Sequence, residues 1–176
     1  MKFAQELQVE AWLNTTQPLS LTQLKGKAIA VYAFQMLCPG CVEHTLPQAK
    51  MVHKIFSSND LVVIGLHTVF EHHEAMKEVS LRAFLHEYRI DFPVGIDQPG
   101  DTGSLPKTME AYRMQGTPTL LLINREGHLH AQHFGHIPDL QLGAELAMLT
   151  LEKGKKIRQN TGSEKTKNVC NLKGTP

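Results

Sequence analysis

Residues 28–34 (Ala-Ile-Ala-Val-Tyr-Ala-Phe) form a nearly unbroken apolar run, and soon after its end stand Cys38-Pro39-Gly40-Cys41. Continuous apolar character rich in strand formers is the mark of a central strand buried on both faces. Gly26-Lys27 before it suits a turn into that strand. Beyond Gly40 the pattern changes to helical spacing, with Val42, Leu46, Ala49, Val52 and Phe56 recurring every third or fourth residue. That spacing predicts a helix bent near Pro47, which cannot supply a backbone hydrogen bond. A buried strand that feeds a helix through two cysteines confines the chain to an α/β architecture with its chemistry at the strand–helix junction.

The rest of the pattern extends this layout. Residues 61–66 read as a second buried strand, and residues 74–88 as a second helix with Val79 and Ala83 toward the sheet. Asp91-Phe92-Pro93-Val94 returns the chain, and residues 97–106, with two Pro, two Gly and two Asp, are an irregular loop. Residues 119–123 and 129–134, joined by Asn124-Arg125-Glu126-Gly127, predict a hairpin. A last helix runs from Asp139 to about Leu151, with Leu142, Leu146 and Leu149 on one stripe. A parallel βαβ crossover followed by an antiparallel hairpin and a closing helix makes a mixed sheet flanked by helices. The expected division is one domain over residues 1–153 and a basic C-terminal tail over residues 154–176.

Composition matters mainly for what it excludes. With 176 residues and 41% hydrophobic content the chain can bury one sizeable core. A net charge of +1 and 6% aromatic residues give no reason to invoke nucleic acid. Residues 152–176 carry seven Lys and Arg against two acids, a net of +5, which is read as a solvated end. The start, Met1-Lys2-Phe3-Ala4-Gln5-Glu6, lacks the apolar core of a secretory signal, and no run is long enough to cross a membrane. The expectation is a cytoplasmic monomer without a membrane partner, or a periplasmic protein if an export signal has been removed.

Three cysteines are too few for a disulfide scaffold, and close spacing of two of them points to redox or metal chemistry. At the first turn of a helix, Cys38 has backbone N–H groups and the positive end of the helix dipole directed at its sulfur, which favours thiolate. Thiolate is the nucleophile of disulfide exchange, and a cysteine one turn later is placed to attack the mixed disulfide. Pro39 fits an early helical position, and Gly40 leaves the approach to the sulfur open. Two rival readings are a pair of ordinary buried thiols and half of a zinc site. The second lacks a second Cys-x-x-Cys, since Cys170 lies in the polar tail.

Gly26-Lys27 before the apolar strand, Cys38-Pro39-Gly40-Cys41 after it, and Gly116-Thr117-Pro118-Thr119 before a later strand resemble the thioredoxin superfamily, in particular its TlpA-like and AhpC/TSA-like (redoxin) branch. The resemblance covers roughly Trp12 to Leu151. It implies a thioredoxin-like fold with a βα insertion between the redox helix and the Gly-Thr-Pro element. It further implies a thiol–disulfide oxidoreductase in which Cys38 attacks and Cys41 resolves. In that family the proline matching Pro118 is cis and packs against the cysteines, while the residue matching Thr117 offers its backbone to a substrate. The implied partners are a protein disulfide or dithiol and a redox partner, with no cofactor and no metal. Leu37 stands where members commonly have Trp, and Tyr32 where many have a buried Asp, Glu or Asn, which leaves the proton acceptor for Cys41 unassigned. Glu43 and His44 are candidates by position, with exposure on the first helical turns as the alternative.

Two other activities follow from the same features. A peroxidase would oxidise Cys38 to sulfenic acid, although Gln35 stands where peroxiredoxins place threonine. A copper- or zinc-binding module would combine the cysteines with histidine. The chain has ten histidines, and His67, His72 and His73 cluster with Glu71 and Glu74 after the second strand. The alternative for these is a set of solvated loop residues. Strand alternation puts His128 and His130 on one face of the hairpin and His133 on the other, all three at the surface. Cys170 is a candidate for resolving a sulfenic acid on Cys38 or for linking two chains, against the plainer reading of an incidental tail thiol.

Overall fold

The computed structural model describes residues 2–101 and 105–151. The tail and Cys170 lie outside the described residues. A six-stranded mixed sheet has the order β1-β4-β3-β2-β5-β6. Its strands are β1 (Val9–Leu13), β2 (Ala28–Phe34), β3 (Leu61–His67), β4 (Val94–Asp97), β5 (Thr119–Ile123) and β6 (Leu129–Phe134). The helices are α1 (Leu46–Ile55), α2 (Glu78–Glu87), α3 (Lys107–Ala111) and α4 (Asp139–Thr150). β2, β3 and β4 run parallel, while β5 pairs antiparallel with both β2 and β6.

β2 is buried along its whole length and lies between β3 and β5, as its unbroken apolar run requires. Its alternate residues serve two cores. Ala28, Ala30, Tyr32 and Phe34 pack with Leu46, Ala49, Leu81, Leu142 and Leu146 from α1, α2 and α4. Ile29, Val31 and Ala33 pack on the opposite face with Met109, Tyr112, Leu121 and Ile123. The junction after β2 is therefore held by both layers of the domain.

Four local expectations are corrected. The redox helix is not α-helical throughout: Cys41–Thr45 has π-helical hydrogen bonding, and α-helical bonding resumes at Leu46 in α1. Pro47, which has no N–H to give to the preceding turn, stands directly after the π-helical segment, where the α-helical bonding resumes. The second helix begins at Glu78 rather than near Glu74, and Leu81 and Leu85 are its buried residues. Val79 is 74% exposed and Ala83 is also exposed, because the stripe of Leu81 and Leu85 is the one packed into the core. β1 and β4 extend the sheet beyond the one crossover read from the pattern. No helix among the described residues is long and apolar enough to cross a membrane.

Candidate redox site

Cys38, Cys41, Thr117 and Pro118 meet where β2 ends. The loop from β2 turns back on itself, with the Cys38 amide donating to the Gln35 carbonyl at 3.1 Å. Next the Cys41 amide reaches the Cys38 carbonyl at 3.1 Å and the Cys38 sulfur at 3.3 Å. A backbone N–H is thus directed at the first sulfur, as the strand–helix junction predicts. Both cysteines are free thiols, Cys38 half-buried and Cys41 wholly buried.

The Gly-Thr-Pro segment closes the other side. Thr117-Pro118 is a cis peptide, and the Cys38 thiol donates to the Thr117 carbonyl at 3.6 Å. A Cβ placed on Gly40 would stand 3.7 Å from the Pro118 ring, so the turn and the proline lie against each other. Gly116 has φ +157°, and the Phe134 ring lies 3.2 Å from the position of its missing Cβ. A side chain there would meet both backbone strain and that ring. The Gly135 amide donates to the Pro118 carbonyl at 2.8 Å, tying the segment to the end of β6. Leu37 and Phe134, 54% and 57% exposed, give this end of the sheet an apolar rim.

Burial pushes the Cys41 thiol up to about 12, and the neighbouring Cys38 side chain adds to the rise. Hydrogen bonds from the Gln35 backbone and the Thr117 side chain to Cys41 oppose it. The second thiol therefore keeps its proton until the chemistry of the first changes its surroundings.

Tyr32 does not supply the missing base. Its hydroxyl is buried with no hydrogen-bond partner, and burial together with the charge of Asp139 raises its pKa further. Glu43 and His44 are exposed on the π-helical turn, 3.9 Å from each other.

The histidine cluster is taken apart by the fold. His67 closes β3 and is 1% exposed, whereas His72 and His73 are exposed on the following loop. Among the described residues, no group of three His, Cys, Asp or Glu side chains is placed to hold a metal ion. His133 is a further correction. It is half-buried, with its ring 2.7 Å from Glu145 of α4, because its face of β6 is covered by that helix. His128 precedes β6 and stacks on Phe3 with ring centroids 4.2 Å apart.

Sequence reasoning did not mark two residues, Gln35 and His67, as buried polar supports of the loop that carries the cysteines. Gln35 is 1% exposed, bonded through its side chain to the Phe70 amide at 3.4 Å and to Glu71 at 3.3 Å. His67 accepts the Met36 amide at 3.4 Å. A polar residue in the direct continuation of an apolar strand is the one signal that could have marked Gln35.

Residues 2–132 match the AhpC/TSA family. The chain belongs to the AhpC/TSA family. A crystal structure of a thioredoxin-like superfamily protein superposes on this AhpC/TSA member with a TM-score of 0.84 at 57% identity, covering 86% of this chain and 98% of the other. A thiol-disulfide isomerase from Corynebacterium glutamicum gives 0.81 at 43% identity, covering 84% and 96%. The match to NHL repeat-containing protein 2 of Bos taurus is 28% identical over 153 residues, 85% of this chain and 20% of that protein. The chain thus spans about a fifth of the length of that curated relative. These likenesses place it among the thioredoxin-like proteins.

Proposed function

We propose that the chain exchanges disulfides with a protein substrate through Cys38 and Cys41. The Cys38 thiolate attacks one sulfur of the substrate disulfide, forming a mixed disulfide and releasing the other sulfur as thiolate, which takes up a proton. Cys41 loses its proton and attacks the Cys38 sulfur. The substrate leaves as a dithiol, reduced by two electrons, and the enzyme is left with a Cys38–Cys41 disulfide. A dithiol reductant reverses this on the enzyme, and the same steps run backwards when the substrate arrives reduced.

The observation that carries this reading is the partly exposed Cys38 sulfur lying between the Cys41 amide at 3.3 Å and the Thr117 carbonyl at 3.6 Å, with its partner thiol buried behind it. Thr117 and Pro118 shape the edge at which the substrate chain docks, and Leu37 and Phe134 offer apolar contact on either side. Reduction of insulin by the full chain with dithiothreitol as electron source tests the proposal. Cys38→Ser is expected to bring the rate down to that of dithiothreitol alone, and equal rates for variant and parent would sink the assignment.

Membership of the AhpC/TSA family favours a second reading, in which peroxide oxidises Cys38 to sulfenic acid and Cys41 condenses with it. Stopped-flow mixing with hydrogen peroxide separates the two. A rate no faster than that of free cysteine removes the peroxidase.

A further inference from the structure

The loop between β2 and Cys38 touches both cysteines through the backbone of one residue. The Gln35 carbonyl accepts the Cys38 amide at 3.1 Å, and a Gln35 backbone hydrogen bond reaches the Cys41 sulfur. Whatever fixes Gln35 and Met36 therefore fixes the surroundings of both sulfurs. From below, the Gln35 side chain binds the loop after β3 at the Phe70 amide and Glu71. From the side, β2 and β3 pair in register as far as Phe34 and His67, and there the ladder ends. The amide of Met36, two residues past Phe34, turns to the His67 ring and donates to Nε2 at 3.4 Å. The ring is held against Phe34 at a centroid distance of 5.3 Å.

We propose that His67 is a positioning residue for the redox pair: by accepting the Met36 amide it continues the β2–β3 ladder one step past its end and holds the Gln35 backbone against Cys38 and Cys41. This rests on the reading of that pair as the redox centre. Burial lowers the pKa of His67 to about 4, so at neutral pH Nε2 keeps the lone pair that the amide needs. An acceptor on Nε2 puts the ring proton on Nδ1. Phenylalanine would fill the same space and leave the Met36 amide buried without a partner, a loss that the loop can relieve only by moving. Glutamine carries an oxygen near the position of Nε2 and restores the acceptor.

The test equilibrates the full-length parent, His67→Phe and His67→Gln with glutathione buffers and reads the ratio of dithiol to disulfide. Loss of the Gln35 bond at the Cys41 sulfur removes a donor that favours the reduced pair. His67→Phe is therefore expected to shift the equilibrium constant toward the disulfide by threefold or more, with His67→Gln returning most of the way to the parent. Equal constants for all three proteins, or equal shifts for Phe and Gln, would overturn the role of His67. A parent that forms no Cys38–Cys41 disulfide at any glutathione ratio would instead overturn the redox reading beneath it. If His67→Phe does not fold, amide hydrogen exchange on the labelled parent decides. A Met36 amide protected like those of β2 supports the bond, and one that exchanges at the rate of an open loop overturns it.

Discussion

At the residue scale the chemistry depends on a difference between two thiols of the same turn. Cys38 is half-buried at the rim, and Cys41 is buried and pushed up to about 12. Below that value the thiolate fraction climbs about tenfold per pH unit. Release of a reporter thiol from a Cys38 mixed disulfide is accordingly expected to speed up steadily through the neutral and mildly alkaline range in single-turnover measurements. A plateau near neutrality would show that another group takes the proton. Cys41→Ser should accumulate the mixed disulfide, visible by mass spectrometry under non-reducing conditions. His67 gives a second pH effect, on stability. Its folded pKa of about 4 lies below the ordinary 6.5, so the unfolded chain binds the proton first and stability falls as pH drops from 6.5 toward 4. The full effect is roughly 3 kcal/mol at 1.36 kcal/mol per unit, and it should be absent in His67→Phe when denaturant melts are compared across that window. The pairing of Cys38 with Cys41 could be read from their spacing, whereas Thr117 and Pro118 were read through the family resemblance and not from spacing. His67 was not legible, since a histidine just past an apolar run reads equally as buried or solvated until the neighbouring strand is placed.

At the element scale, helices show best what periodicity can and cannot tell. The stripe Leu142, Leu146 and Leu149 of α4 is buried as its spacing predicts, and Leu146→Ala should cost about 2–5 kcal/mol in chemical denaturation. α2 shows the opposite. The apolar set Val79 and Ala83 fits a helical face as well as Leu81 and Leu85 do, and only the sheet decides which turns inward. The π-helical turn at Cys41–Thr45 was not legible, because no side-chain pattern distinguishes a bond to the fifth residue from one to the fourth. α4 is also fixed to β6 by Glu145 and His133, both largely buried. Burial opposes ionisation of Glu145, yet hydrogen bonds from Gln141 and His133 hold its pKa below the usual carboxylate value. Its contribution is present above the ordinary pKa of 4.5 and is lost as pH falls through the lowered one. Glu145→Gln is expected to destabilise the protein by about 1 kcal/mol at neutral pH, with the difference vanishing in acid.

At the scale of the whole molecule, one parallel crossover and an antiparallel hairpin in a mixed sheet were legible from the chain, whereas the order of the six strands was not. Nor was the edge strand β1. It is five residues long, includes Glu10 and departs from regular register between Val9 and Ala11, so its alternation is blurred. The single tryptophan, Trp12, lies in β1 opposite Gly95 of β4 and reports whether this edge melts with the rest. Trp12 fluorescence and far-ultraviolet circular dichroism are expected to share one denaturation midpoint. An earlier fluorescence transition would mean that β1 detaches first. The wholly buried Cys41 has one more consequence, for survival under oxidative stress. Dissolved oxidants meet only its partner, and a sulfenic acid formed on Cys38 has a capturing thiol within the same turn. Closure to an intramolecular disulfide then competes with the climb to the irreversible sulfinic and sulfonic acids, so that damage is converted into an ordinary, reducible state of the enzyme.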